Sequence, residues 1–275
     1  PLRRQRQMCI RDSFLSALDA GAEIAWDELT EGWILSIGGA EQSHVDLADP
    51  SRVFYEYLQR MSAACDLQRP SGQPVRALHL GAGALTLPRR LSAVRPGSQQ
   101  TVIELARELP GFVLEHLPWP DSQPPRILIG DAREQLGALR EAETEPFDLL
   151  VLDVFAGDDA PAHLRERSFY EEMAQVLAPD GALIVNVGDD PGLGFFREQA
   201  ERMVQAQGSG GAPAFADVWC LSDASMLDGQ RAGNLILLGS PSSMPRENLD
   251  ALRAAGPHPA AVLDRMQLED WLAGE

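Results

Sequence analysis

Ala77-Leu78-His79-Leu80-Gly81-Ala82-Gly83-Ala84 decides the fold: a strand-like run enters a Gly-x-Gly turn, and a helical pattern begins directly behind it. Glycines at such a turn lack Cβ atoms, so backbone N–H groups can approach a ligand at the start of the helix. The dinucleotide fingerprint needs a third glycine at position 86, where Thr86 stands, and this argues against NAD or FAD.

Working outward from the turn, short apolar runs alternate with helical segments. Runs at 75–80, 101–103, 126–129, 147–152, 182–187, 215–221 and 235–238 predict a seven-stranded, mostly parallel, Rossmann-like α/β sheet. The Gly208-Ser209-Gly210-Gly211 loop joins a helix to a late strand, and the tail after Ser240 reads as one or two amphipathic helices. Upstream, residues 23–47 alternate apolar and polar around Thr30-Glu31-Gly32, which predicts a small antiparallel β domain. Val53, Tyr57, Leu58 and Met61 recur at helical spacing, predicting a helix from Asp49-Pro50 to about Leu67. Arg69-Pro70-Ser71-Gly72-Gln73-Pro74 is then the linker.

Three segments follow: 14–70 holds the β-hairpins and the helix, 71–275 is the Rossmann-like domain with C-terminal helices, and 1–13 lies outside the fold. This first segment is basic, begins without Met, and resembles either translated adapter read-through or a disordered tail.

The 275 residues carry a formal charge of −18, and every basic side chain is Arg, since Lys is absent. Such a surface repels phosphate backbones and anionic lipid, so neither nucleic acid nor a membrane surface is an expected partner. An acidic protein can attract a cationic small molecule, although acidity alone does not choose one. Cys9, Cys65 and Cys220 have neither disulfide nor metal-ligand spacing, and no apolar run is long enough to span a bilayer, so the expected setting is a reducing cytoplasm. The five His are scattered without ligand spacing, and no metal is expected.

Three carboxylates sit where wound sheets place their chemistry, at the ends of strands. Glu104 ends the second strand, where a carboxylate can accept bonds from both ribose hydroxyls; alternatively it is a solvated charge at a helix start. Asp131, in Gly130-Asp131-Ala132 after the third strand, can hold an adenine amino group beside a small neighbour, or cap the following helix. Asp153 ends Phe147-Asp148-Leu149-Leu150-Val151-Leu152-Asp153 and can take a proton from an amine nucleophile, or cap a loop. Asp158 and Asp159 read as loop charges.

In this order, the residues resemble the spermidine synthase family of polyamine aminopropyltransferases. The resemblance also rests on Gln42-Ser43-His44-Val45-Asp46, Phe169-Tyr170-Glu171, Leu177-Ala178-Pro179-Asp180-Gly181 and Gly233-Asn234, and it spans about residues 32–240. It implies a class I methyltransferase fold with an N-terminal β domain. It also implies a nucleoside site of Gln42, Gly81, Ala82, Gly83, Glu104, Asp131, Ala132 and Pro161, with Asp153 as proton acceptor. Tyr55 and Tyr57 compete for the tyrosine that helps hold the amine, and Asp158 is a candidate beside them. The family's glycine-loop Asp is replaced by Ala84 and its second strand-end Asp by Ala156, so the nucleoside half matches while the amine half departs.

The activity this implies is aminopropyl transfer from decarboxylated S-adenosylmethionine to an amine, releasing methylthioadenosine, with no tightly bound cofactor. A methyltransferase using S-adenosylmethionine and a non-catalytic nucleoside-binding protein are the alternatives. Family members commonly form dimers or tetramers, which makes a homodimer the expected assembly.

Overall fold

The computed structural model describes residues 11–120, 123–142, 145–156 and 160–274. Strands β1 (Arg11–Leu15), β2 (Ala20–Asp27), β3 (Gly32–Ile37) and β4 (Ala40–Val45) form an antiparallel meander. Its hydrophobic alternation puts Leu15, Ala22, Ile24, Leu35 and Val45 on one buried face. Composition alone places residues 11–13 outside the fold, but Arg11, Asp12 and Ser13 pair with Ile24, Glu23 and Ala22. The hydrogen-bonding edge of β2 recruits them despite their polarity.

Helix α1 (Glu56–Asp66) begins later than its periodicity predicts. Asp46 Oδ1 accepts from the backbone N–H of Ala48 and Asp49, and Asp49 accepts from Ser51, so these acids build turns instead of a first helical turn. Residues 14–70 also do not act as one unit. Leu58, Met61, Ala64 and Cys65 of α1 pack into the core of the larger sheet, so the structural boundary falls between β4 and α1.

The larger sheet is wound from β5 (Arg76–Leu80), α2 (Thr86–Val94), β6 (Gln99–Glu104), α3 (Glu108–His116), β7 (Arg126–Ile129), α4 (Ala132–Glu141) and β8 (Phe147–Ala156). It continues through α5 (Ala162–Arg165), α6 (Arg167–Ala174), β9 (Leu177–Asp189), α7 (Gly194–Val204), β10 (Asp217–Asp223) and β11 (Gly233–Ser240). Then follow α8 (Glu247–Ala255), β12 (Ala260–Leu263) and α9 (Arg265–Ala273). The spatial order is β12-β10-β11-β9-β8-β5-β6-β7. Strands β5 to β9 are parallel, and β11 enters antiparallel to β9. This is the mostly parallel α/β sheet of the class I methyltransferase fold.

An eighth strand, β12, adds to the seven that the sequence predicts. Its Ala260-Ala261-Val262-Leu263 run has no strand signature of its own, and it is ordered by antiparallel pairing to β10. Central strand β5 is buried along Ala77, Leu78, His79 and Leu80, as expected for a parallel strand covered on both faces. The predicted linker is tied down, because the buried Arg95 guanidinium donates to the carbonyls of Asp66, Arg69, Pro70 and Gln73. Among the described residues, no helix is long and apolar enough to cross a membrane.

Candidate active site

The chain winds outward from β5 through β6 to β7 on one side and then crosses back to β8 on the other, so a crevice opens at the carboxyl ends of β5 and β8. The glycine turn lies in it. Gly81 has φ +100° and Gly83 φ +48°. A Cβ on Gly81 would stand 2.5 Å from the Asp153 carbonyl oxygen, and one on Gly83 would stand 2.6 Å from Ser43 Oγ. The β4 strand latches onto this turn: Ala84 N–H donates to Ser43 Oγ at 3.1 Å, and Thr86 Oγ1 donates to the His44 carbonyl at 2.9 Å. Ala84 is fully buried in the core between the small sheet and α3, away from the crevice wall.

A largely apolar cavity of about 390 Å³ occupies the crevice, and Gln42, Gly81, Ala82, Gly83, Glu104, Asp131, Ala132 and Pro161 all line it. The predicted nucleoside residues therefore meet in one place. Glu104 Oε2 accepts from Ala82 N–H at 2.9 Å and Oε1 from Ala106 N–H at 2.7 Å. Burial raises its pKa, while those backbone bonds oppose the shift.

Asp131 caps a helix, one of its two sequence readings, and it also lines the cavity. Its Oδ1 caps α4 through the N–H groups of Arg133 and Glu134, and its Oδ2 pairs with His163 Nε2 at 2.7 Å. Burial pushes its carboxyl up, but the His163 bond and the helix N–H groups outweigh that and hold it below the usual range. A ligand amino group at Asp131 must share Oδ2 with His163 or displace it.

A second, more polar cavity of about 970 Å³ adjoins the first. Gln42, Tyr57, Asp153 and Val154 line both, so Asp153 stands at the junction. Asn186 Nδ2 donates to Asp153 Oδ1 at 2.8 Å, and Asn234 Nδ2 donates to Asn186 Oδ1 at 3.1 Å. Burial raises the Asp153 carboxyl above the usual carboxylate range, against the Asn186 bond. This chain keeps a buried carboxylate oriented and able to accept a proton.

The competition between the tyrosines ends with both at this cavity. Tyr55 and Tyr57 stack with ring centroids 6.2 Å apart. Tyr55 Oη donates to Glu41 Oε2 at 3.0 Å and Tyr57 Oη to the Gln42 carbonyl at 3.3 Å. Only Tyr57 of the two reaches both cavities. Asp158 lies outside the described residues.

Three residues escape sequence reasoning. Asn186 is a lone amide inside the apolar run of β9, a signal that was available. Arg60 follows Tyr57 by one helical turn and is almost completely buried, which its charge gives no reason to expect. His163 becomes relevant only through its tertiary pairing with Asp131.

Because Glu104 accepts two backbone N–H groups, Glu104→Gln must turn an amide NH2 toward one of these donors. The variant is expected to be about 1–3 kcal/mol less stable. Urea denaturation of the two proteins checks it.

No protein-family model matches the sequence. Over 135 residues, 49% of this chain, it is 29% identical to the polyamine aminopropyltransferase of Vibrio vulnificus, and the match spans 44% of that enzyme's length. The crystal structure of a probable spermidine synthase from Corynebacterium glutamicum superposes with a TM-score of 0.80 at 28% identity, covering 93% of this chain and 91% of that one. Human methyltransferase-like protein 13, in complex with SAH, superposes with a TM-score of 0.57 at 19% identity, over 80% of this chain and 93% of that one, which shows the fold alone. By sequence over about half its length and by fold over nearly all of it, the chain is similar to the spermidine synthases, from which it has diverged.

Proposed function

We propose that this chain is a transferase that takes an aminopropyl group from decarboxylated S-adenosylmethionine and delivers it to an amine. The observation that carries the reading is the position of Asp153, a buried carboxylate between an apolar cavity of nucleoside size and a polar cavity open to an amine. In the apolar cavity the missing Cβ atoms of Gly81 and Gly83 leave room for the donor, and Glu104 offers lone pairs to the ribose hydroxyls. The residues present fit an adenosyl group.

The amine nitrogen attacks the methylene carbon next to the sulfonium. A C–N bond forms as the C–S bond breaks, and the sulfur leaves with its electron pair in neutral methylthioadenosine. The proton shed by the nitrogen passes to Asp153. Since the sulfonium is already a good leaving group, the protein's work is to align the amine and keep it deprotonated. Tyr57 and Gln42, at the junction, are placed to orient the two reactants.

Methyl transfer from S-adenosylmethionine is the second reading, favoured by Ala84. The position where the resembled family carries an amine-holding carboxylate is here absorbed into the core. Calorimetric titration with methylthioadenosine, decarboxylated S-adenosylmethionine and S-adenosylmethionine separates the two. Aminopropyl transfer predicts tight binding of the first two and weak binding of the third. Preference for S-adenosylmethionine would overturn it.

A further inference from the structure

We propose that the acceptor in the second cavity is an amine that also carries a carboxylate, a basic amino acid in preference to a simple diamine. This rests on the transferase reading above. Arg60 lines the cavity, and its side chain is only 4% exposed. A guanidinium has five N–H donors. Here Nη2 reaches the Pro257 carbonyl at 3.3 Å, Nη1 lies 3.5 Å from Glu56 Oε2, and the buried Nε has no partner among the described residues. Nη1 and Nη2 each carry a second N–H beyond that partner, which a ligand anion in the cavity would take.

Arg231 lines the same cavity, held by a 2.7 Å bond from Nη1 to Ser225 Oγ. Between the two arginines' fields stands Asp223, whose carboxyl is held below the usual range by Ser225 first, and further by Arg231 and Arg60. Asp223 Oδ1 is already engaged by the N–H and hydroxyl of Ser225. The cavity thus holds two guanidinium groups near Asp223, the Asp153 carboxylate at the junction, and Glu41 on its own lining.

A diamine bound with one nitrogen at Asp153 would point its second ammonium toward two guanidinium groups. A carboxylate at that end would instead meet the planar donor fork it matches. The remaining acids keep the cavity acidic overall. Glu56 is exposed at the rim, and Asp189 accepts from the N–H groups of Asp190 and Phe196. This excess favours a diamino acid, with a net positive charge, over a neutral zwitterion.

Ornithine and putrescine form a matched pair that differs by one carboxylate, as do lysine and cadaverine. On protein saturated with methylthioadenosine, calorimetry is expected to show ornithine or lysine binding at least about tenfold tighter than its diamine. Arg231→Ala, at an exposed side chain, should erase most of that preference, and Arg60→Gln should erase it wherever a thermal melt shows that variant folded. Equal or tighter binding of the diamines overturns the inference while the transferase reading stands. Failure of methylthioadenosine to bind overturns the transferase reading and the inference with it.

Discussion

Asp153→Asn should lower aminopropyl transfer by about 10²–10⁴-fold while leaving methylthioadenosine affinity close to wild type. The substitution is nearly isosteric, and its side-chain carbonyl can still accept from Asn186 Nδ2, so the chain to Asn234 survives. What is lost is the proton acceptor. In the wild type, burial raises the carboxyl's pKa, so turnover should rise with pH along a limb displaced above the ordinary carboxylate range. Rate profiles at saturating substrates should show that limb in the wild type and lack it in the variant. An unchanged rate would remove Asp153 from the mechanism.

The same shift has a consequence for stability, of opposite sign. A carboxyl whose native pKa is raised binds its proton more tightly folded than unfolded, so its contribution is full below the unfolded value and lost as pH rises through the native one. At neutral pH the ionised, buried Asp153 therefore costs stability that Asn does not. Asp153→Asn should melt higher than wild type at pH 7 to 8, and the difference should vanish below about pH 4. A variant less stable at neutral pH would mean that a structural role outweighs the desolvation of the charge.

The strand positions and the carboxylates at their ends were legible because both follow local rules. The run 126–129 is β7 as printed in the sequence, Glu104 ends β6 and Asp131 follows β7 by two residues, whereas β8 runs on past Asp153 to Ala156. Strand β12 was not legible because its four residues are ordered by β10, some forty positions away in the chain. The start of α1 was misplaced because Asp46 and Asp49, acidic residues typical of helix starts, spend their oxygens on turns. At the site, residue types picked out the glycines and carboxylates that line the apolar cavity. The acceptor half depends on which distant groups converge. No pattern along the chain could show that Arg60 of α1 and Arg231 before β11 share a wall, or that His163 occupies Asp131 Oδ2.

Two glycines of one turn should respond very differently to the same added methyl group. Gly81→Ala places a Cβ at φ +100°, a conformation L-residues rarely adopt, and 2.5 Å from the Asp153 carbonyl oxygen. That oxygen belongs to the backbone of a central strand, so relief requires β8 to move away from β5. The left-handed strain of about 1–2 kcal/mol and the overpacking of about 1–3 kcal/mol together give about 2–5 kcal/mol of destabilisation. Because the strand that must move carries Asp153, turnover should fall with stability. Gly83→Ala sits at φ +48°, within the left-handed region that other residues visit, and its Cβ meets only Ser43 Oγ, the end of a side chain that can rotate. Its cost should stay at about 1–2 kcal/mol, with loss of the bond from Ala84 N–H to Ser43. Urea denaturation of the two variants measures the ratio directly. Equal costs would show that β5 and β8 part easily at the crevice, and the glycine turn would then owe its glycines to the ligand alone.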